Sequence, residues 1–286
     1  MSVAATATVR GTRLRIALLV LANVIAALAF LWPFLVPGLL GESSPHAEDA
    51  PFLLLAVLGC LTVVLFLDLG RGGIGPKGVA LIGVLGAAMV ALRLPGFVAG
   101  FSAMFIIVLV AGNAFGPAFG FVLGAIGLFA SGLFLGGIGP WLPFQMAAVG
   151  WVGLGAGLLP GTETSWRVRL GALAAYGFVV GYAFGIVMNL WSWPFTTAGT
   201  AIGWVPQEDL SENVQHYATY YMTTSFVWDT FRAFGNAAMV LVLGRPLLGA
   251  LDRAARRMRL DLREPRFIDP PDRAAARPEP AEATNA

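Results

Sequence analysis

Charge is scarce in this chain. Only 12% of its 286 residues are Asp, Glu, Lys or Arg, against about 25% in soluble globular domains, while 57% are hydrophobic and the mean hydropathy is +0.77. That balance excludes an ordinary water-soluble fold. One cysteine, Cys60, excludes an intrachain disulfide, and its place inside an apolar run marks it as a buried structural thiol. The two histidines, His46 and His216, fall in predicted outer loops, and no file of acids or histidines threads the apolar segments, which argues against a proton-relay pump. Catalytic signatures are missing as well. The run GRGGIGPKG from Gly70 to Gly78 lacks the Ser or Thr that must follow the lysine of a phosphate-cradling loop. There is no HExxH and no GxSxG, and neither Ser131 nor Ser192 has a histidine near it in sequence. These absences point away from an enzyme, a cofactor, a metal site or a nucleic-acid partner.

What is present is a series of apolar runs near the roughly 20 residues that cross a bilayer as a helix. They predict an all-α polytopic membrane protein with about eight transmembrane helices, at 16–36, 51–69, 79–92, 97–111, 117–135, 143–159, 170–190 and 224–242. The first run, at 21 residues, exceeds the apolar core of a signal peptide and reads as a span. The division expected is two N-terminal helices with their loops at 1–76, a six-helix bundle at 77–250, and an arginine-rich tail at 251–286 whose last part, from Asp269, has a disorder-prone composition. Placing the N-terminus in the cytoplasm puts 16 of the 18 basic residues inside, which predicts a plasma-membrane protein with both termini cytoplasmic. Arg93, at an outer end, and Arg232, within the last span, are the other two.

Glycine is abundant, and it is ordered. The stretch GGIGPWLPFQMAAVGWVGLGAGLLP (Gly136 to Pro160) starts as a Gly/Pro turn and becomes a glycine-studded apolar helix. Such a helix is poor in water, but in lipid the backbone bonds itself and small residues let helices approach closely. Rows at four-residue spacing recur: Gly83, Ala87 and Ala91; Gly116, Gly120 and Gly124; Gly177, Gly181 and Gly185. Each stacks on one helix face. The last two rows are expected to pack within the molecule, and the first to serve either internal packing or a partner subunit.

Polar residues at membrane depth complete the picture. Asp229, Arg232 and Asn236 share one face of the last span. They either neutralise each other and tie helices together or line a ligand cavity, Asp229 being about 9 Å from the outer end. Trp141 and Gln145 mark the turn into the sixth span, Arg93 ends the third, and Asn189 lies near the outer end of the seventh. The connection from Trp191 to Thr223, with Trp193, Trp204 and Tyr220, is expected to be a long binding loop suited to stacking against a large, mostly uncharged ligand.

The residues from Lys77 to Val242 resemble the substrate-binding S component of energy-coupling-factor vitamin transporters. The likeness rests on GVALIGVLGAAMVALR, on AGNAFGPAFGFVLGAIGLFAS and above all on the Gly136–Pro160 stretch. It extends, less specifically, to actinobacterial members assigned to cobalamin. The resemblance implies a six-helix bundle that takes a vitamin-like small molecule from the outer face. It also implies a transmembrane coupling subunit and ATP-binding subunits as partners, with ATP hydrolysis in the latter. The family's AxxxA docking motif would correspond to Ala87 and Ala91, with Gly83 one turn earlier. Its outer ligand site would fall on Arg93, Trp141, Gln145, Asn189, Trp193, Tyr220, Asp229, Arg232 and Asn236. The two N-terminal helices depart from the six-helix pattern. A non-transporting membrane scaffold, its arginine tail drawn to anionic membrane lipid, is the competing expectation.

Overall fold

The computed structural model describes residues 3–35, 75–94, 102–206 and 208–263, together with most of 52–60. Every regular element among them is helical. The helices are α1 (Val3–Leu35), α2 (Gly75–Arg93), α3 (Met104–Phe115), α4 (Pro117–Leu135), α5 (Leu142–Ala156), α6 (Trp166–Thr196), α7 (Leu210–Thr224) and α8 (Phe226–Arg263). The chain is a multi-pass membrane protein. Among the described residues, three helices are long and apolar enough to cross a bilayer: Pro117–Leu135, Trp166–Thr196 and Phe226–Arg257. Ile16–Leu31, Met104–Phe115 and Leu142–Ala156 are apolar but shorter. Most of the expected second span and the tail beyond Arg263 lie outside the described residues, although Leu53 and Val57 are buried in the core.

Glycine explains the packing. Helices α4 and α5 touch along their backbones, because Gly120 and Gly124 face Gly153 and the Val149–Gly150 turn with no room for a Cβ. Helices α6 and α8 repeat the device, with Gly181 against the backbone of Ala233 and Gly185 against the carboxylate of Asp229. Both rows therefore pack within the molecule. Between these pairs runs α3, buried from Met104 to Ala114. Its 12 residues rise only about 18 Å, well short of a bilayer's roughly 30 Å hydrocarbon core. It ends at Gly116, whose φ of 97° is open to glycine alone, and Pro117 starts α4 at once. Helix α1 leans on α5 and α6 from outside this bundle.

Two expectations need correction. The connection from Trp191 to Thr223 is not one long loop. Helix α6 continues through Pro194 to Thr196, and Leu210–Thr224 forms α7, leaving 197–209 as the true connection. The polar composition of α7 disguised it, because a helix lying at the membrane surface needs no apolar run. Nor does the last helix end with the span expected at 224–242. Helix α8 passes Pro246 and holds to Arg263, 38 residues in all, with Leu248 and Ala255 buried on its inner half.

Candidate functional site

We call the end carrying Trp141, Trp193 and α7 the outer end, and the end carrying Arg169 the inner end. At the outer end the starts and stops of four elements bring aromatic rings together. Trp141 stands at the entrance to α5, its indole N–H donating to the Gly137 carbonyl (3.2 Å), and meets Trp191 of α6 edge to face at 6.4 Å. Trp191 also lies 6.2 Å from the buried ring of Phe144. Two residues further along α6, Trp193 is 3% exposed and joins Tyr217 of α7 at 4.9 Å and Trp204 of the connection at 5.9 Å. Tyr220 closes the group 6.3 Å from Tyr217.

The connection that carries Trp204 is held firmly. Trp193 Nε1 donates to the Ile202 carbonyl at 2.8 Å. Buried Asn213 of α7 bonds both backbone groups of Val205, accepting from its N–H at 2.9 Å and donating to its carbonyl at 2.8 Å. A ring nitrogen of His216 lies 3.0 Å from the Gly203 carbonyl. Burial pushes the Tyr217 hydroxyl above its ordinary range, with Tyr220, Tyr221 and Asp229 adding to the effect, so it stays a donor, to the Ile186 carbonyl at 2.6 Å.

Beside this group runs a polar seam between α6 and α8. The Asp229 carboxylate, 2% exposed, takes one oxygen to Arg232 and the other to the Tyr221 hydroxyl at 3.0 Å. Arg232 also donates to the Gly181 carbonyl at 3.2 Å and lies over the Phe184 ring, and Asn236 donates to the Gly177 carbonyl at 3.1 Å. A charge pair buried among helices must be satisfied, and this one is. Its geometry is that of a tie between α6 and α8, and a ligand reaching Asp229 would have to displace Tyr221.

Among the shielded polar atoms with no hydrogen-bond partner among the described residues are, at this end, Gln145 Oε1, Asn189 Nδ2 and Trp204 Nε1. Asn189 uses its oxygen to accept from Ser225 at 3.1 Å, which leaves its amide to spare. Such atoms are costly unless something completes them. Arg93 joins neither group; it donates to Ser131 of α4 at 3.0 Å. On α2, Gly83, Ala87 and Ala91 are all exposed, while Ile82, Leu85 and Met89 of the same helix are buried.

Two features had escaped sequence reasoning. Phe30 and Phe34 of α1 belong to the aromatic group: Phe30 meets Phe144 edge on at 4.9 Å, and Phe34 lies 5.1 Å from Trp204. The four-residue row Ala22, Ala26, Phe30, Phe34 was the available signal. At the inner end, buried Arg169 grips Asp252 of α8 with two bonds (2.6 and 3.0 Å) and donates to Asn113 of α3 at 2.5 Å. Asn113 in turn donates to the carbonyls of Ala156 and Pro160, each at 3.2 Å. No sequence pattern links residues so far apart.

Residues 77–244 match the family model described as the ECF transporter, substrate-specific component. No curated protein and no solved structure matches the chain.

Proposed function

The chain belongs to the substrate-specific components of ECF transporters, and from that premise we propose that it captures a vitamin-class micronutrient, cobalamin foremost, at its outer end. A transport subunit of this kind is not itself a catalyst, and its family associates with a membrane coupling subunit and ATPases. The arrangement we infer has eight crossings, cytoplasmic termini and a binding bundle over 77–250.

The observation that carries the ligand reading is the outer aromatic group with its uncompleted polar atoms. Trp141 and Tyr220 supply ring surface, buried Trp193 backs them from within, and Gln145 Oε1 and Asn189 Nδ2 offer one acceptor and one donor already out of water. That mixture suits a large, mostly uncharged molecule edged with amides. In this reading Asp229, Arg232 and Asn236 form the floor that holds α6 and α8 in register beneath the ligand, and Arg93 stands at the rim. The face of α2 that exposes Gly83, Ala87 and Ala91 is the docking surface for the coupling subunit.

The test is direct. The protein is produced alone with cobalamin supplied, purified in detergent, and its visible spectrum recorded. A corrin band at close to one chromophore per chain is expected. A colourless preparation carrying another vitamin by mass spectrometry would keep the transport reading and discard cobalamin, and a preparation carrying nothing would discard the ligand reading.

A further inference from the structure

Helix α1 lies wholly outside the family-matched residues, yet it reaches the outer end of the bundle. We propose that the outer end of α1 is one wall of the ligand site. Phe34 acts as a positioning residue for Trp204, whose indole N–H donates to an acceptor oxygen on the ligand. This deepens the reading given above and rests on it.

Toward the outer end of α1, Ala22, Ala26 and Phe30 are buried, and Phe30 contacts both Phe144 (4.9 Å) and Trp151 (5.6 Å). Asn23 accepts from Trp151 Nε1 at 2.6 Å. Beside this anchor runs an apolar groove of about 590 Å³, walled by Ile16, Val20 and Val24 on one side and Pro117, Phe121 and Leu154 on the other, with Asn23 and Trp151 also lining it.

Beyond that anchor the Phe34 ring stands edge on to Trp204 at 5.1 Å and 86°, and 6.0 Å from Trp193. Trp204 is therefore held between α1 on one side and α6 on the other, within a connection already bonded to α7 through Asn213 and His216. Everything about it is fixed, yet its Nε1 is shielded from water and donates to nothing among the described residues. A tryptophan so placed has packing but no hydrogen bond, an unusual state for an indole N–H shielded from water. A ligand with an apolar face and a carbonyl, amide or phosphate oxygen completes it. Corrinoid amides have this chemistry, and so does any other acceptor-bearing ring ligand.

The test uses the full chain in lipid nanodiscs, with cobalamin as the probe and three variants. Phe34→Ala should raise amide exchange across 197–206 while leaving α4 as it was, and ring-retaining Phe34→Tyr should restore protection. Trp204→Phe leaves an aromatic ring at the position, though a smaller one, and removes the N–H; with exchange and melting measured alongside to register the lost volume, it should weaken cobalamin binding about tenfold, the worth of one hydrogen bond in a dry site. Unchanged exchange in Phe34→Ala overturns the brace, and wild-type affinity in Trp204→Phe overturns the donor. If the unaltered protein binds neither cobalamin nor another vitamin, the ligand reading falls and takes the donor role with it. The brace then stands or falls on the exchange comparison alone.

Discussion

At the scale of single residues the molecule depends on groups that have been taken out of water and answered. Arg169 is the clearest case: its guanidinium spends all three nitrogens on Asp252 and Asn113 at 5% exposure. Removing one member of a buried pair costs more than the pair contributes, because the survivor is left charged and unaccompanied. Arg169→Ala is therefore expected to destabilise the protein by about 3–5 kcal/mol. The double variant Arg169→Ala/Asp252→Ala should recover part of that loss. Denaturant unfolding in detergent reads both, and a single variant as stable as the parent would show that the network contributes nothing. Gly185 poses the opposite problem, since the Asp229 carboxylate already occupies the place of a Cβ. Gly185→Ala must push α6 from α8 or displace Asp229 from Arg232, at about 1–3 kcal/mol, again visible as an earlier unfolding midpoint.

The elements show which parts of the fold could be read from the sequence. Runs such as Pro117–Leu135 were legible because apolar length has one physical meaning in a chain this poor in charge. The glycine rows were legible as faces, though their partners were not: nothing in the spacing of Gly177, Gly181 and Gly185 says that α8 is what they meet. Helix α7 was illegible for a different reason. Leu210–Thr224 mixes exposed Leu210, Val214 and Met222 with polar residues, and its buried side is joined to the molecule through Asn213, Tyr217 and Tyr221 reaching neighbours. Of the candidate site, the tryptophans and Gln145 were visible as types, but the partition into an aromatic group and an α6–α8 seam exists only in three dimensions. The role of α7 as a buttress is open to test. Asn213→Ala strips both backbone bonds from Val205, so amide exchange in 203–206 should quicken by at least about tenfold, the equivalent of one hydrogen bond. Equal exchange in variant and parent would mean that Trp193 and His216 hold the connection without Asn213.

For the whole molecule the question is how the proposed outer ligand site would be connected to a coupling partner. The described helices form two glycine-sutured pairs, α4 with α5 and α6 with α8, and α3 lies buried between them. The α6–α8 pair is tied toward the outer end by Arg232 and Asn236, which donate to the Gly181 and Gly177 carbonyls, and at the inner end by Arg169 and Asp252. Helix α2 is tied differently. Its buried side rests on α4, where Met89 fills the space beside Gly127, and its other side exposes Gly83, Ala87 and Ala91. A flat row of small residues has little to offer lipid, but it allows another helix to approach closely. The separation of the two surfaces makes a prediction that an internal packing role would not. Ala87→Trp/Ala91→Trp points bulk outward, away from Met89 and the core, so folding and the cobalamin band of the isolated subunit should stay as they are. Assembly should not: co-purification with a tagged coupling subunit is expected to fall to background, and uptake with it. If the doubly substituted protein still assembles, α2 docks by another face. If it loses cobalamin while remaining folded, the two surfaces are not separate, and the site at the outer ends of α5, α6 and α7 extends onto α2.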